Sequence, residues 1–213
     1  ISIDNENLYV PGTFLIDQKD LKEKIYEGSF IKNCKSKHKS RFGTIMIVDK
    51  KNGGLKKEIF LINAFYKDNK SREIIEKFSY NCNDTFHLND VRVLTNKEAK
   101  FFNNGQKGDF LVSFRHLDMI ALIDKKKHNI KWYVQGKFKN QHSPRITPKG
   151  TLLVFDNHFK AQKSRIVEID IVSKNIVGYY SGKNSKFYST TRGRIQLIDN
   201  RIIIQSSDQG EIF

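Results

Sequence analysis

The residues able to do chemistry in this chain sit at the ends of apolar runs. His87 and Asn89 lie in FHLND (Phe86–Asp90), and Arg115 and His116 close DFLVSFRH (Asp109–His116). His142 follows a glutamine in NQHSPRI (Asn140–Ile146), Asn157 ends LLVFDN (Leu152–Asn157), and Arg165 follows Ser164. Histidine titrates near neutral pH and serves as nucleophile, acid or base. Arginine offers a planar fork of donors to an anion. A packed core does not require this pattern, because an apolar strand can end in any turn residue. A ring of strand ends aimed at one centre does require it.

Each residue also has a plainer reading. His87 can bond its own loop, and His142, between Gln141 and Ser143–Pro144, occupies a tight loop where a structural hydrogen bond is natural. Arg115 and Arg165 can each pair with an acid. Asn157 stands where Asx turns are common. His116 points away from Arg115 if the strand continues through both, since side chains alternate along a strand. Trp132 reads as core, because a lone Trp in a strand buries much apolar area.

The elements that would position these residues are strands. Val10–Asp17 and Gly43–Asp49 read as strands, and Asp17–Ser29 as a short helix. Asn52–Gly53 is a hairpin turn, because both residues tolerate positive φ. Lys56–Tyr66 reads as the second strand of that hairpin, and Arg72–Tyr80 as a strand or short helix. In Asp109–Arg115, Phe110, Val112 and Phe114 share one face while Leu111, Ser113 and Arg115 share the other. Met119–Asp124, Asn129–Gln135, Gly150–Asn157, Arg165–Ile171, Asn175–Ser181, Gly193–Asp199 and Arg201–Ser207 continue the series.

The unit recurs. LVSFRH, IALID and IKWYV read as inner, middle and outer strands, and LLVFDN, RIVEID and IVGYY repeat them about 40 residues later. RIQLID, RIIIQSS and GEIF look related but offset in phase. Short antiparallel strands at this period mark an all-β chain with the β-propeller fold, about four to five blades of it at this length. The whole of residues 1–213 reads as one propeller domain, open to continuation at both ends. It starts at Ile1, as a mature or trimmed product would, and stops in mid-strand.

Composition narrows the partners. With 213 residues, 38% hydrophobic and 16 Phe, the chain can bury a sizeable core. No apolar run approaches the roughly 20 residues of a membrane helix. The net charge of +15 invites nucleic acid. Lysine is nevertheless scattered along the chain, and its one dense cluster, Lys32–Arg41, carries no interleaved aromatics of the kind an RNA-binding face uses. The expectation is no nucleic-acid partner, with the basic surface steering small anions instead. Cys34 and Cys82 set no framework, and without a C-x-x-C a structural zinc site is not expected.

Taken in order, His87-x-Asn89, LVSFRH, Ile120–Asp124 with Lys131–Trp132, Gln141–His142, Phe155–Asn157, Ser164–Arg165 and Phe187–Ser189 resemble the bacterial arylsulfotransferase family over roughly Phe86–Phe213. The resemblance implies a six-bladed, usually periplasmic propeller with its site at the mouth of the central channel. It implies sulfuryl transfer from an aryl sulfate ester to a phenol through a transiently sulfated histidine, without a nucleotide donor, a metal or another cofactor. His87, His142 and Arg115 then stand as catalytic, and Asn89, His116, Asn157, Arg165 and Arg192 as substrate-binding. A transferring sulfuryl group carries negative charge on its oxygens, which suits Arg and His donors by analogy with phosphoryl transfer.

One departure matters. In the family pattern the sulfated histidine lies in a later blade, beyond the Ser-Arg pair, but no histidine follows His158 here. The corresponding stretch, Lys186–Arg194, offers Tyr188, Ser189, Arg192 and Arg194. Two functions therefore stand: an arylsulfotransferase-like enzyme, or a non-catalytic propeller binding an anionic ligand or a protein. The enzyme requires His87, Arg115, His142 and Asn157 to converge.

Overall fold

The computed structural model describes residues 1–17, 39–67, 69–78, 83–157, 163–181, 187–199 and 201–213, with residues 76–78 described by backbone alone. The expected helix over Asp17–Ser29, most of the Lys32–Arg41 cluster, and both cysteines lie outside these residues. Among the described residues no helix is long and apolar enough to cross a membrane.

Four antiparallel sheets follow one another along the chain. The first holds β1 (Ser2–Ile3), β2 (Asn7–Ile16), β3 (Ser40–Asp49) and β4 (Leu55–Phe60). The second holds β5 (Leu88–Val93), β6 (Phe110–Phe114), β7 (Met119–Ile123) and β8 (Ile130–Gln135). The third holds β9 (His142–Ile146), β10 (Thr151–Asp156), β11 (Arg165–Asp170) and β12 (Ile176–Tyr180). The fourth holds β13 (Arg194–Ile198), β14 (Arg201–Ser206) and β15 (Glu211–Ile212). Each sheet is a meander in which sequence neighbours pair. The leading strands β5, β9 and β13 also touch one another in that order, so the sheets are successive blades of a β-propeller.

Period-2 alternation builds the seams between blades. Phe110, Val112, Phe114, Met119, Ala121 and Ile123 pack with Phe42 and Ile45 of the first blade. From the same two strands, Leu111, Ile120 and Leu122 turn the other way, onto Leu152, Val154, Val167 and Ile169 of the third. Leu153, Phe155 and Ile166 then meet Ile195 and Ile204 of the fourth. Both faces of a middle strand are dry, and each such side chain contributes about 1.5–3 kcal/mol by burial. Trp132 joins the second seam as expected, donating its Nε1–H to the Ile171 carbonyl at 2.9 Å.

Several sequence expectations are corrected. Lys56–Tyr66 is not one strand: β4 ends at Phe60 and α1 (Ile62–Phe65) follows. Leu61, Ile62, Ala64 and Phe65 are all buried, and a helical turn, unlike a two-sided strand, brings such residues onto one core. The described part of Arg72–Tyr80 resolves toward helix, within α2 (Asn69–Phe78), and its last two residues lie outside the described ones. The second and third blades hold four strands where the repeat reads three, because their leading strands β5 and β9 are polar. LVSFRH is therefore the second strand of its blade. RIQLID is a leading strand, which explains its phase offset.

Candidate functional site

The site forms where the leading strands begin. Blade one holds the approach to β5: Arg41 donates its N–H to the Asn83 carbonyl at 2.8 Å, and Arg41 and Asp84 form a parallel bridge. Phe86, fully buried, anchors the segment among Phe42, Phe65 and Phe114, with ring centroids 5.9, 5.0 and 5.2 Å away. His87 follows with φ 44°, a left-handed conformation unusual for histidine. Asp84 stabilises that turn. One carboxylate oxygen accepts the His87 backbone N–H at 3.1 Å, and the other lies 2.6 Å from its Nδ1.

Beyond β6 the chain does not stay extended. Arg115–Leu117 forms a 3-10 turn ended by Asp118 at φ 46°. Backbone bonds from Arg115 to His87 and from His116 to Phe86 tie it to the start of β5. The turn brings Arg115 and His116 together, against the strand expectation that would separate them. His116 Nδ1 lies 2.5 Å from the Asp84 carbonyl, which only accepts, so Nδ1 carries the proton. Its Nε2 then accepts from Arg115 Nη1 at 3.2 Å. The His87 and His116 rings are 4.7 Å apart.

His142 opens β9 between two residues with positive φ, Asn140 and Ser143. Asn157 is fully buried and donates Nδ2 to the carbonyls of Ser189 at 2.6 Å and Arg192 at 2.8 Å. Its Oδ1 therefore faces His142, whose Nδ1–H it accepts at 2.8 Å, shared with the Asn140 carbonyl at 3.1 Å. That leaves His142 Nε2 a bare lone pair, unpartnered among the described residues. Gln141 locks the same loop to blade two through bonds to Ser113, Phe114 and Met119.

Charge and burial act on these groups together. Burial pushes His142 below its ordinary value, and the charges of Arg115 and His87 push the same way, against its hydrogen bonds to Asn157 and Asn140. Burial likewise lowers His116. It also lowers Arg115, which the charges of Asp118 and Asp84 partly offset. Burial raises Asp118, whose carboxylate accepts the Asn140 N–H at 2.8 Å. Both histidines thus favour the neutral form at neutral pH.

Asp84, His87 and His116 each present a ligand atom within 4.8 Å of the others, close enough to suggest a metal. The donor set does not suit one. His87 Nδ1 is engaged by the carboxylate, and His116 is held between a carbonyl and a guanidinium, so a cation would meet Arg115 directly. The arrangement fits an anion.

The structure brings His87, Arg115, His116, His142 and Asn157 into one constellation. Asn89 borders it: its Nδ2 donates to the Gln141 carbonyl at 2.7 Å, and its Oδ1 is buried without a partner. Arg165 is not brought in. Its Nε lies 2.7 Å from Asp156 and its guanidinium stacks 4.6 Å from the Tyr179 ring, all within blade three. Arg192 contributes its carbonyl, while its side chain is exposed. Ser189 and Arg192 thus meet Asn157 through their backbone carbonyls. Sequence reading passed over Asp84, for which the only signal was its place three residues before His87. A cleft of about 700 Å³, lined by Asp4, Tyr9, Val93 and Lys97, lies at the other end of β5.

Fold and site define a β-propeller with a histidine–arginine cradle at one end of its leading strands. The chain belongs to the arylsulfotransferase (ASST) family, whose model matches residues 56–213. No curated protein matches it. Among solved structures, the WD40 β-propeller domain of Doa1 is similar at 13% identity and TM-score 0.42, over 83% of this chain and 52% of that one. Hydrazine synthase of Kuenenia stuttgartiensis is similar at 13% identity and TM-score 0.31, over 49% of this chain and 31% of that one. The chain thus spans about half the length of the first of these structures and a third of the second.

Proposed function

We propose that the constellation transfers a sulfuryl group from an aryl sulfate to a phenol, with His142 as nucleophile. The observation that carries this reading is Arg115. Arg92, Arg145 and Arg165 each lie against a carboxylate. Among the described residues half-buried Arg115 has no ion pair and an unpartnered Nε, and the Nε2 atoms of His87 and His142 have no partner either. A cation left this way, beside a His116 and a His142 that favour the neutral form, is arranged for an anion.

The roles follow from the hydrogen bonds. His116 has both nitrogens engaged and steadies Arg115. Arg115 holds the sulfuryl oxygens. His142 Nε2 attacks sulfur, the S–O bond to the aryl group breaks, and the departing phenolate takes a proton from His87 Nε2. An incoming phenol returns that proton to His87 and attacks sulfur, and the N–S bond breaks. His142 thereby takes the part that the family pattern gives to a histidine in a later blade.

Mixing the protein with excess aryl sulfate, quenching within seconds and mapping the modified peptide tests this. The expected result is a sulfuryl adduct on His142 that phenol removes, with turnover falling about 10³-fold or more in His142→Ala. An adduct on another residue reassigns the nucleophile. No adduct and no released phenol from folded protein leaves an anion-binding propeller without transfer.

A further inference from the structure

We infer that Asp84 is a positioning residue that sets which ring nitrogen of His87 carries the proton and which one faces the reacting group. The inference rests on the reading of the site above. Asp84 is doubly committed. Its two carboxylate oxygens take the backbone N–H and the Nδ1 of His87, at 3.1 and 2.6 Å. Its backbone carbonyl takes Nδ1 of His116 at 2.5 Å. An ionised carboxylate only accepts, so His87 must present Nδ1–H to it and keep Nε2 for exchange with the substrate oxygen.

Burial pushes the Asp84 carboxyl up, but its bond to the His87 ring, the charges of His87 and His116, and the His87 N–H outweigh this and hold it below its ordinary value. The carboxylate therefore stays ionised at neutral pH, when His87 must shuttle its proton. It also stabilises the imidazolium that His87 becomes each time it takes a proton from phenol. The segment itself is anchored by the Arg41 bridge on one side and buried Phe86 on the other.

The two ends of Asp84 can be separated by one substitution. In Asp84→Asn the amide oxygen still caps the His87 N–H, so the turn is retained. The amide NH₂ then faces Nδ1, which must become the acceptor, and the ring proton moves to Nε2. His116, bonded to the backbone carbonyl, is unaffected and serves as an internal control.

The test uses the 15N-labelled full chain and long-range 1H–15N correlation spectra at a pH where both rings are neutral. The wild type is expected to show His87 protonated at Nδ1. Asp84→Asn is expected to show it reversed, with His116 unchanged in both. In turnover of an aryl sulfate, the variant should lose kcat by roughly 10²–10⁴-fold with KM within about twofold, as expected where only the tautomer is wrong. A wild type protonated at Nε2, which needs no variant to observe, overturns the inference. So does a variant whose His87 does not reverse, or one that reverses at full kcat. If the wild type transfers no sulfuryl group, the proposed function falls, and the His87 tautomer alone then decides the place of Asp84.

Discussion

Removing the Asn157 side chain would take a hydrogen bond from three groups at once. The carbonyl of Arg192 loses its donor, the carbonyl of Ser189 keeps only the Ser164 hydroxyl at 3.2 Å, and His142 Nδ1–H keeps only the longer bond to Asn140. A buried polar group left unpaired costs about 1–3 kcal/mol. Asn157→Ala is therefore expected to lose about 2–3 kcal/mol in urea denaturation. Its kcat should fall further than the lost folded fraction explains, because His142 loses the acceptor that holds its free nitrogen toward the substrate. A variant with unaltered stability would mean that the Asn157 bonds do not form. The same accounting separates the site's arginines: Arg165 already has Asp156 and Tyr179, whereas the side chain of Arg115 has only an imidazole among the described residues.

The leading strands hold the two histidines in register with each other. Asp90 of β5 and Arg145 of β9 meet across the seam at 2.9 Å, both largely buried. Arg145→Met is expected to cost about 3 kcal/mol, because it leaves the Asp90 charge buried and unpaired. Adding Asp90→Asn to it should recover part of that loss in a double-mutant cycle, and purely additive losses would mean the strands are not coupled through this pair. Such strands were the least legible in the sequence. Strands β6, β7, β10 and β11 announce themselves because blades press on both faces and buried apolar residues run through them. Strands β5 and β9 face the centre of the ring, so they carry Asn89, Asp90, Arg92, Pro144 and Arg145 and look like loops. His87, Arg115, His142 and Asn157 were legible as polar residues closing apolar runs. The engagement of Arg165 was not, because its partner comes from cross-strand register, the Asp156↔Arg165 pair of β10 and β11. The meeting of Arg115 with His116 was hidden too, since it depends on the chain leaving the strand at Arg115.

Across the whole molecule, blade one must approach blade two closely for the site to exist. A Cβ at Gly43 in β3 would stand 2.8 Å from Leu88 Cβ, the residue between His87 and Asn89. Glycine there lets the two blades close on the segment that carries the cradle. Around it lies a chain of net charge +15, while the cradle itself sets the one cation of Arg115 beside the carboxylates of Asp84 and Asp118. The attraction of an aryl sulfate is therefore divided by distance. Contact with Arg115 acts over a few ångströms in a partly dry site, where salt screens little. The pull of the surplus lysines acts over the Debye length, about 10 Å at 0.1 M salt and about 3 Å at 1 M. Raising sodium chloride from about 0.01 M to about 0.5 M should therefore lower kcat/KM for a singly charged aryl sulfate several-fold while leaving kcat within about twofold, because steering affects encounter and not the chemical step. A neutral phenol acceptor, varied at saturating donor, should show no such dependence. A kcat that falls in step with kcat/KM would place the salt-sensitive charge inside the cradle, and a flat kcat/KM would mean that the basic surface takes no part in drawing the substrate in.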